Sequence, residues 1–253
     1  MRVHYRKMDL LVATVLLRPY VFAFLAAFLA AATVDLGVRR TALFATCLWP
    51  LAWLAEFAST RIGIPFGLYH YTGSTRGQEL YVANVPFMDS LSFVFLAYAA
   101  FCLARATLRV RPRSRWALAT LAGFLMMLLD VVIDPLAVRG DRWFLGRIFY
   151  YADGGMYFGV PLSNFVGWWL VGAVGVALYL GGAGDIQGRL LWPGLGLYYA
   201  VLGFNLAVTA WIGEGLLFGV GLVLHAVVAL LLGAVPGALA RRAGEAARGV
   251  QRA

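Results

Sequence analysis

Residues 115–135 read RWALATLAGFLMMLLDVVIDP. From Trp116 to Leu129 no side chain carries a charge. Crossing the hydrocarbon core of a bilayer takes about 20 mostly apolar helical residues, and this run has that length. It closes with two aspartates, Asp130 and Asp134, one helical turn apart. Blocks of the same character occur at 19–37, 40–60, 86–104, 161–181, 191–213 and 216–240. Within lipid only helices and closed barrels satisfy the backbone. Barrel strands would alternate apolar and polar residues, and these blocks are too long and too uniformly apolar for that. The expected fold is all-α: a polytopic membrane helical bundle of about seven transmembrane helices.

Composition agrees. The 253 residues are 62% hydrophobic and 13% charged, too apolar for an ordinary soluble domain. Residues 1–18 read as an N-terminal tail or interfacial helix, 19–240 as a single transmembrane helical domain, and 241–253 as a basic C-terminal tail. The start imitates a secretory signal, with Arg2, Arg6 and Lys7 before an apolar stretch and AAAT at 30–33. Arg18-Pro19 interrupts that stretch where a signal core would be continuous, so a retained first helix is expected. No Walker loop, GxGxxG or HExxH motif is present, and no soluble segment is large enough to hold a separate activity. Cys47 and Cys102 lie inside spans without metal-type spacing and read as small apolar fillers. GLLFG at 215–219 matches a small-xxx-small helix contact, but among 29 glycines such a match is close to chance. The sequence implies no particular oligomeric state.

The net charge of +9 invites a nucleic-acid reading. The distribution argues against it. Basic residues gather in short connections and tails, as positive-inside topology requires. The connection ARATLRVRPRSRW carries Arg105, Arg109, Arg111, Arg113 and Arg115, and Arg241, Arg242, Arg248 and Arg252 follow the last block. Parity puts both groups on one side, expected to be cytoplasmic. The N-terminal tail then lies outside, against the sense of its own charges.

The polar residues inside the blocks are segregated. Glu56 lies near the far end of the second block, Asp89 near the start of the third, and Asp130 and Asp134 at the end of the fourth. Asn164 opens the fifth in PLSNFVGWW, Asn205 lies in the sixth with Glu214 just beyond it, and His225 is about halfway along the seventh. Arg18 precedes the first. An antiparallel weave puts these on the half opposite the Arg-rich connections and leaves the other half nearly free of charge. Two long connections join the same half: RIGIPFGLYHYTGSTRGQELYVANVP, 61–86, and LAVRGDRWFLGRIFYYADGGMYFGVP, 136–161. Both are rich in aromatics and glycine, and long loops in compact domains are commonly functional. They are expected to cap a site.

Intramembrane carboxylates mark functional sites by default. Asp130 and Asp134 share one helix face. Two carboxylates close together in a low-dielectric site cannot both ionise easily, so such a pair keeps one proton at neutral pH. One member is then a general acid and an ionised neighbour a base. Aromatic faces can stabilise a developing carbocation. Such a pocket, reached from lipid, suits protonation of an alkene in a lipidic substrate, with no cofactor and no metal. A second reading is Mg²⁺ held by DxxxD against a diphosphate, as in intramembrane prenyltransferases of the UbiA type. That arrangement needs a second aspartate-rich motif, and helices two and three offer one isolated carboxylate each. Proton or ion transport is a third reading, without an obvious inverted repeat to support it.

EFASTRIGIPFGLYHYT (56–72), NVPFMDSLSFVFLAY (84–98), LLDVVIDP (128–135) and YYADGGMYFGVPLSNFVGWW (150–169) together resemble the membrane carotenoid biosynthesis protein family, over about residues 19–235. Its members include carotenoid 1′,2′-hydratases, among them bisanhydrobacterioruberin and γ-carotene hydratases. The resemblance implies a multi-pass protein of a bacterial or archaeal cell membrane. It implies cofactor-independent addition of water to the terminal, ψ-end double bond of an acyclic or monocyclic carotenoid. Its partners are then a lipophilic carotenoid, water and the lipid bilayer. Membrane carotenoid cyclases begin with the same protonation, so end-group cyclisation stays an alternative. On this reading the catalytic candidates are Asp130, Asp134, Glu56 and Asp89. Substrate or water is held by Asn164, Tyr69, Tyr71, His70, Tyr157 and Trp168. Gly63, Gly67, Gly159 and Gly167 permit close backbone or ring approach.

Overall fold

The structure, a computed structural model, describes residues 7–108, 114–183 and 191–250. Arg2, Arg6, Arg109, Arg111, Arg113 and Arg252 lie outside the described residues, as do the side chains of Lys7, Arg241, Arg242 and Arg248. Helix α1 (Lys7–Leu17) stops at Arg18, and Pro19 opens α2 (Pro19–Leu36), where its missing N–H costs nothing. Next come α3 (Val38–Ile62), α4 (Phe87–Thr107), α5 (Arg115–Ala137), α6 (Leu162–Ala183), α7 (Trp192–Trp211) and α8 (Gly215–Val250). Seven of these, all but α1, are long and apolar enough to cross a membrane. The bundle expected from the hydropathy blocks is the fold observed.

Helix α4 is central. It is buried along most of its length and packs against α2, α3, α5 and α7. The most extensive helix packing is that of α5 with α6. A Cβ at Gly123 of α5 would lie 2.4 Å from the carbonyl oxygen of Trp169 on α6, so glycine sets how near the two backbones come. That approach positions the end of α5, with Asp130 and Asp134, beside the start of α6, with Asn164.

The two capping connections are zipped together. Strand β1 (Tyr69–Tyr71) in the first pairs antiparallel with β4 (Phe149–Tyr151) in the second, aligning Tyr69 with Tyr151, His70 with Tyr150 and Tyr71 with Phe149. A smaller hairpin joins β2 (Tyr81–Val82) to β3 (Val85–Pro86). The sequence reading placed no strands here. Segments of two or three residues show no usable periodicity, and the main pairing partners are far apart in the chain.

Arg18 locks the cap to the bundle. It is fully buried, donates to the carbonyl of Leu145 in the second connection at 2.7 Å, and pairs with Glu79 of the first at 3.3 Å. One turn earlier the Thr14 hydroxyl accepts from the Leu80 N–H at 2.8 Å. A second buried ion pair corrects the expectation that the opposite half is nearly free of charge. There Arg105 of α4 meets Asp35 of α2 at 2.5 Å, with Tyr98 donating to the same carboxylate. Arg105 was expected in the connection with the other arginines. Its backbone is the last turn of α4, and its side chain folds back into the bundle.

Removing one partner of a buried ion pair leaves the other charge uncompensated and costs about 3–5 kcal/mol. Arg18→Met is therefore expected to lower the unfolding midpoint in detergent markedly, and Arg18→Met combined with Glu79→Leu to recover much of the loss. A single variant as stable as the parent would show that the pair does not hold the cap.

Candidate functional site

Beneath the cap lies a cavity of about 880 Å³, counted out to its open mouth. Glu56 of α3, Asp89 of α4, Asp134 of α5 and Asn164 and Trp168 of α6 reach it from below, and Tyr69 and Tyr71 of β1 from the cap. Four helices and a strand thus bring seven of the expected residues to one space.

The carboxylates are individually held. Asn164 donates through Nδ2 to Asp130 Oδ2 at 2.7 Å and to Asp134 Oδ2 at 2.8 Å, so one amide clamps the pair. The indole N–H of Trp168 donates to the same Asp134 oxygen at 3.3 Å. Asp134 lines the cavity, whereas Asp130 is fully buried one turn deeper in α5. The Tyr71 hydroxyl donates to Asp89 Oδ2 at 2.7 Å and lies 3.4 Å from the Tyr69 hydroxyl. Burial pushes both phenols well above their ordinary range, so they stay protonated and able to donate at physiological pH. Glu56 Oε2 and Asp130 Oδ1 are buried without a hydrogen-bond partner among the described residues.

Aromatic rings form the walls. Trp168 stacks on Phe93 with centroids 4.1 Å apart and planes 15° apart, and Phe66 packs beside both. Phe66 can come this close because α6 has glycine at 167. A Cβ there would lie 2.6 Å from the Phe66 ring. Among the described lining residues there are three carboxylates and no Lys, Arg or His.

Four of the residues grouped on this half by the sequence fall elsewhere. Side chains alternate along a strand; Tyr69 and Tyr71 face the cavity, while His70 lies on the other side against the ring of Tyr150. Tyr157 packs edge-on to Phe158 and Phe165 and does not line the cavity. His225 does not join the cluster on α5 and α6. It accompanies Thr107 and Tyr198 in a separate groove, bonded to the carbonyl of Gly221 at 2.8 Å. Glu214 is tied to Arg139 at 3.1 Å and to Arg142.

A family model described as "Carotenoid biosynthesis protein" matches residues 14–236. The chain belongs to the carotenoid biosynthesis protein family. Over 200 residues it is 32% identical to the bisanhydrobacterioruberin hydratase of Haloarcula japonica. That alignment covers 71% of this chain and 64% of the relative, just under two thirds of its length. No solved structure matches the chain. The family region begins at Thr14, earlier than the sequence motifs suggested, and so takes in the α1 residue that holds the cap through Leu80.

Beyond Trp168, Tyr69 and Tyr71, the aromatic walls went unread in the sequence, although α4 carried a signal. Asp89, Ser92, Phe93 and Leu96 follow the i, i+3, i+4, i+7 spacing of one helix face, and all four line the cavity. Tyr20, Tyr151 and Phe204 had no such marker, because each reaches the cavity through a tertiary contact.

Asn164→Leu keeps a similar volume and deletes both donors, leaving two buried acids without their clamp. Its expected cost is about 2–4 kcal/mol, read as a lower unfolding midpoint in detergent. An unchanged midpoint would mean the amide does not hold the pair.

Proposed function

We propose that the protein is a cofactor-independent carotenoid hydratase. It adds water across the ψ-end double bond of an acyclic or monocyclic carotenoid within the cell membrane. The observation that carries this reading is the cavity itself: aromatic walls, three carboxylates, and no basic side chain among its described lining residues. Its surface suits an apolar chain, and its acids suit proton transfer. A diphosphate would find anions where it needs cations, which disfavours the prenyltransferase reading. Family membership and the hydratase relative point the same way.

Asp134 is the acid in this proposal, since it lines the cavity, and Asp130 behind it shares the clamp of Asn164. Asp134 gives its proton to the less substituted carbon of the terminal alkene. The positive charge develops on the adjoining tertiary carbon, within reach of aromatic faces such as Trp168 and Phe93, whose quadrupoles stabilise it. Water attacks that carbon through oxygen and loses a proton to Glu56 or Asp89. Tyr71, bonded to Asp89, orients that carboxylate. The proton taken up by the base returns to Asp134, so the net change is one water added and a tertiary alcohol formed. A cyclase would share the first step, with an internal double bond capturing the cation in place of water.

A bacterial host accumulating lycopene or γ-carotene, supplied with heavy-oxygen water, tests this directly. The expected product is heavier by one labelled water, and an isomer of unchanged mass would establish the cyclase. Asp134→Asn and Asp130→Asn are each expected to abolish product while the protein still inserts in the membrane. Wild-type turnover by either variant would remove that residue from the mechanism. Turnover lost to a chelator and restored by Mg²⁺ would return the diphosphate reading to first place.

A further inference from the structure

On the side of the cavity between α2 and α7, the lining side chains nearest the surface are three rings, Tyr20 and Phe24 from α2 and Phe204 from α7. Tyr20 stacks on Phe204 with centroids 5.2 Å apart, and Phe24 meets Phe204 edge-on at 5.7 Å. All three line the cavity and are only half-buried.

Helix phase explains the half-burial. On α2 the exposed stripe contains Ala23, Ala27 and Ala30, and the buried stripe contains Val21, Phe28 and Ala32. Tyr20 and Phe24 lie on the flank between them. On α7 Phe204 holds the same position between exposed Gly203 and Ala207 and buried Val201 and Val208. The outward neighbours on these helices are alanine or glycine, so no second layer of side chains from α2 or α7 covers the rings. As far as α2 and α7 supply it, the partition between cavity and bilayer is one ring thick, with Phe144 of the cap resting against its outer edge. Acyl chains are as apolar as the faces these rings present to each other, so parting them in lipid carries no hydrophobic penalty.

The outer surface beside this seam is apolar and aromatic. Phe144, 52% exposed, sits edge-on to Tyr20 at 5.5 Å and near Phe204 at 6.4 Å. Trp211, 68% exposed, lies 6.5 Å beyond it. Phe144 belongs to the capping connection whose next residue, Leu145, is held by Arg18.

We infer that the substrate reaches the carboxylates sideways from the bilayer, through the α2/α7 seam, with Tyr20, Phe24 and Phe204 as the door. Phe144 and Trp211 form the approach to it. This rests on the reading of a lipid-borne polyene substrate. A linear chain can pass between two parted rings while its remainder stays in lipid, and only its end group enters the enclosed space beside the carboxylates. The door sets which end groups pass, so these three residues determine specificity without touching the transferred proton.

The test uses the full chain in proteoliposomes loaded with lycopene. Phe204→Cys is labelled with benzyl methanethiosulfonate, which adds a ring at the door and is removed by dithiothreitol. Leu29→Cys, on the opposite, exposed flank of α2, and wild type with its native Cys47 and Cys102 are treated identically. Polyene binding is read from its visible absorption and hydration from product mass. The labelled Phe204→Cys protein is expected to lose both, and thiol to restore them, while both controls keep both. Complete labelling with undiminished binding and hydration overturns the door. A wild type that binds lycopene without hydrating it, in which the Phe204 label still blocks binding, keeps the door and overturns the hydratase reading. A wild type that does neither overturns both. Ala207→Trp gives a second reading from an exposed position outside the cavity: kcat/KM is expected to fall with kcat unchanged. An unchanged kcat/KM there overturns the seam as the route.

Discussion

A carboxylate inside a helical bundle must be given a partner, because the surrounding medium supplies none. Much of this structure follows from that constraint. Asp130 and Asp134 meet one amide, Asn164, which serves both. Asp89 meets the phenol of Tyr71. Each of these contacts fixes one element against another: α5 to α6, and the cap to α4. The polar groups in and behind the cavity also determine where the helices and the cap stand. Glu56 Oε2 and Asp130 Oδ1, buried without partners among the described residues, are where the constraint is left unmet.

The cap belongs to the same logic. On the proposed hydration, a cation intermediate in bulk water would be quenched indiscriminately, so the reacting end must be enclosed while a limited supply of water is kept. The paired strands β1 and β4 close the space from above and turn Tyr69 and Tyr71 downward. Arg18 holds both connections at once. The bundle is fastened again at its other end by the Arg105–Asp35 pair. Buried ion pairs thus fasten both ends of the bundle, while aromatic rings close the α2/α7 seam between them.

Several features were legible in the chain alone. Asp130 and Asp134 announced themselves because charge is rare in a run such as ATLAGFLMMLL. Glu56, Asp89 and Asn164 did so for the same reason, and their distribution along the spans placed them at one end. Arg105 was misread because an arginine near a helix end normally reaches outward to water. Nothing local shows that Asp35 waits inside, seventy residues earlier in the chain. His70 was grouped with Tyr69 and Tyr71 because all three share one motif. Strand alternation, invisible until β1 found β4, turned it away.

By itself the sequence determined the class of fold and the number of spans, and it nominated most of the polar residues that line the cavity. Each of these depends on composition or on spacing along a single helix, and burial in lipid leaves few alternatives. Tertiary structure alone decided which of two neighbouring aspartates faces the cavity, which tyrosine serves which carboxylate, and where α2 and α7 supply a wall one ring thick. Those depend on the rotation of each helix about its axis and on contacts between residues distant in the chain. A mutual phase between helices is a property of packed pairs, and no single segment encodes it.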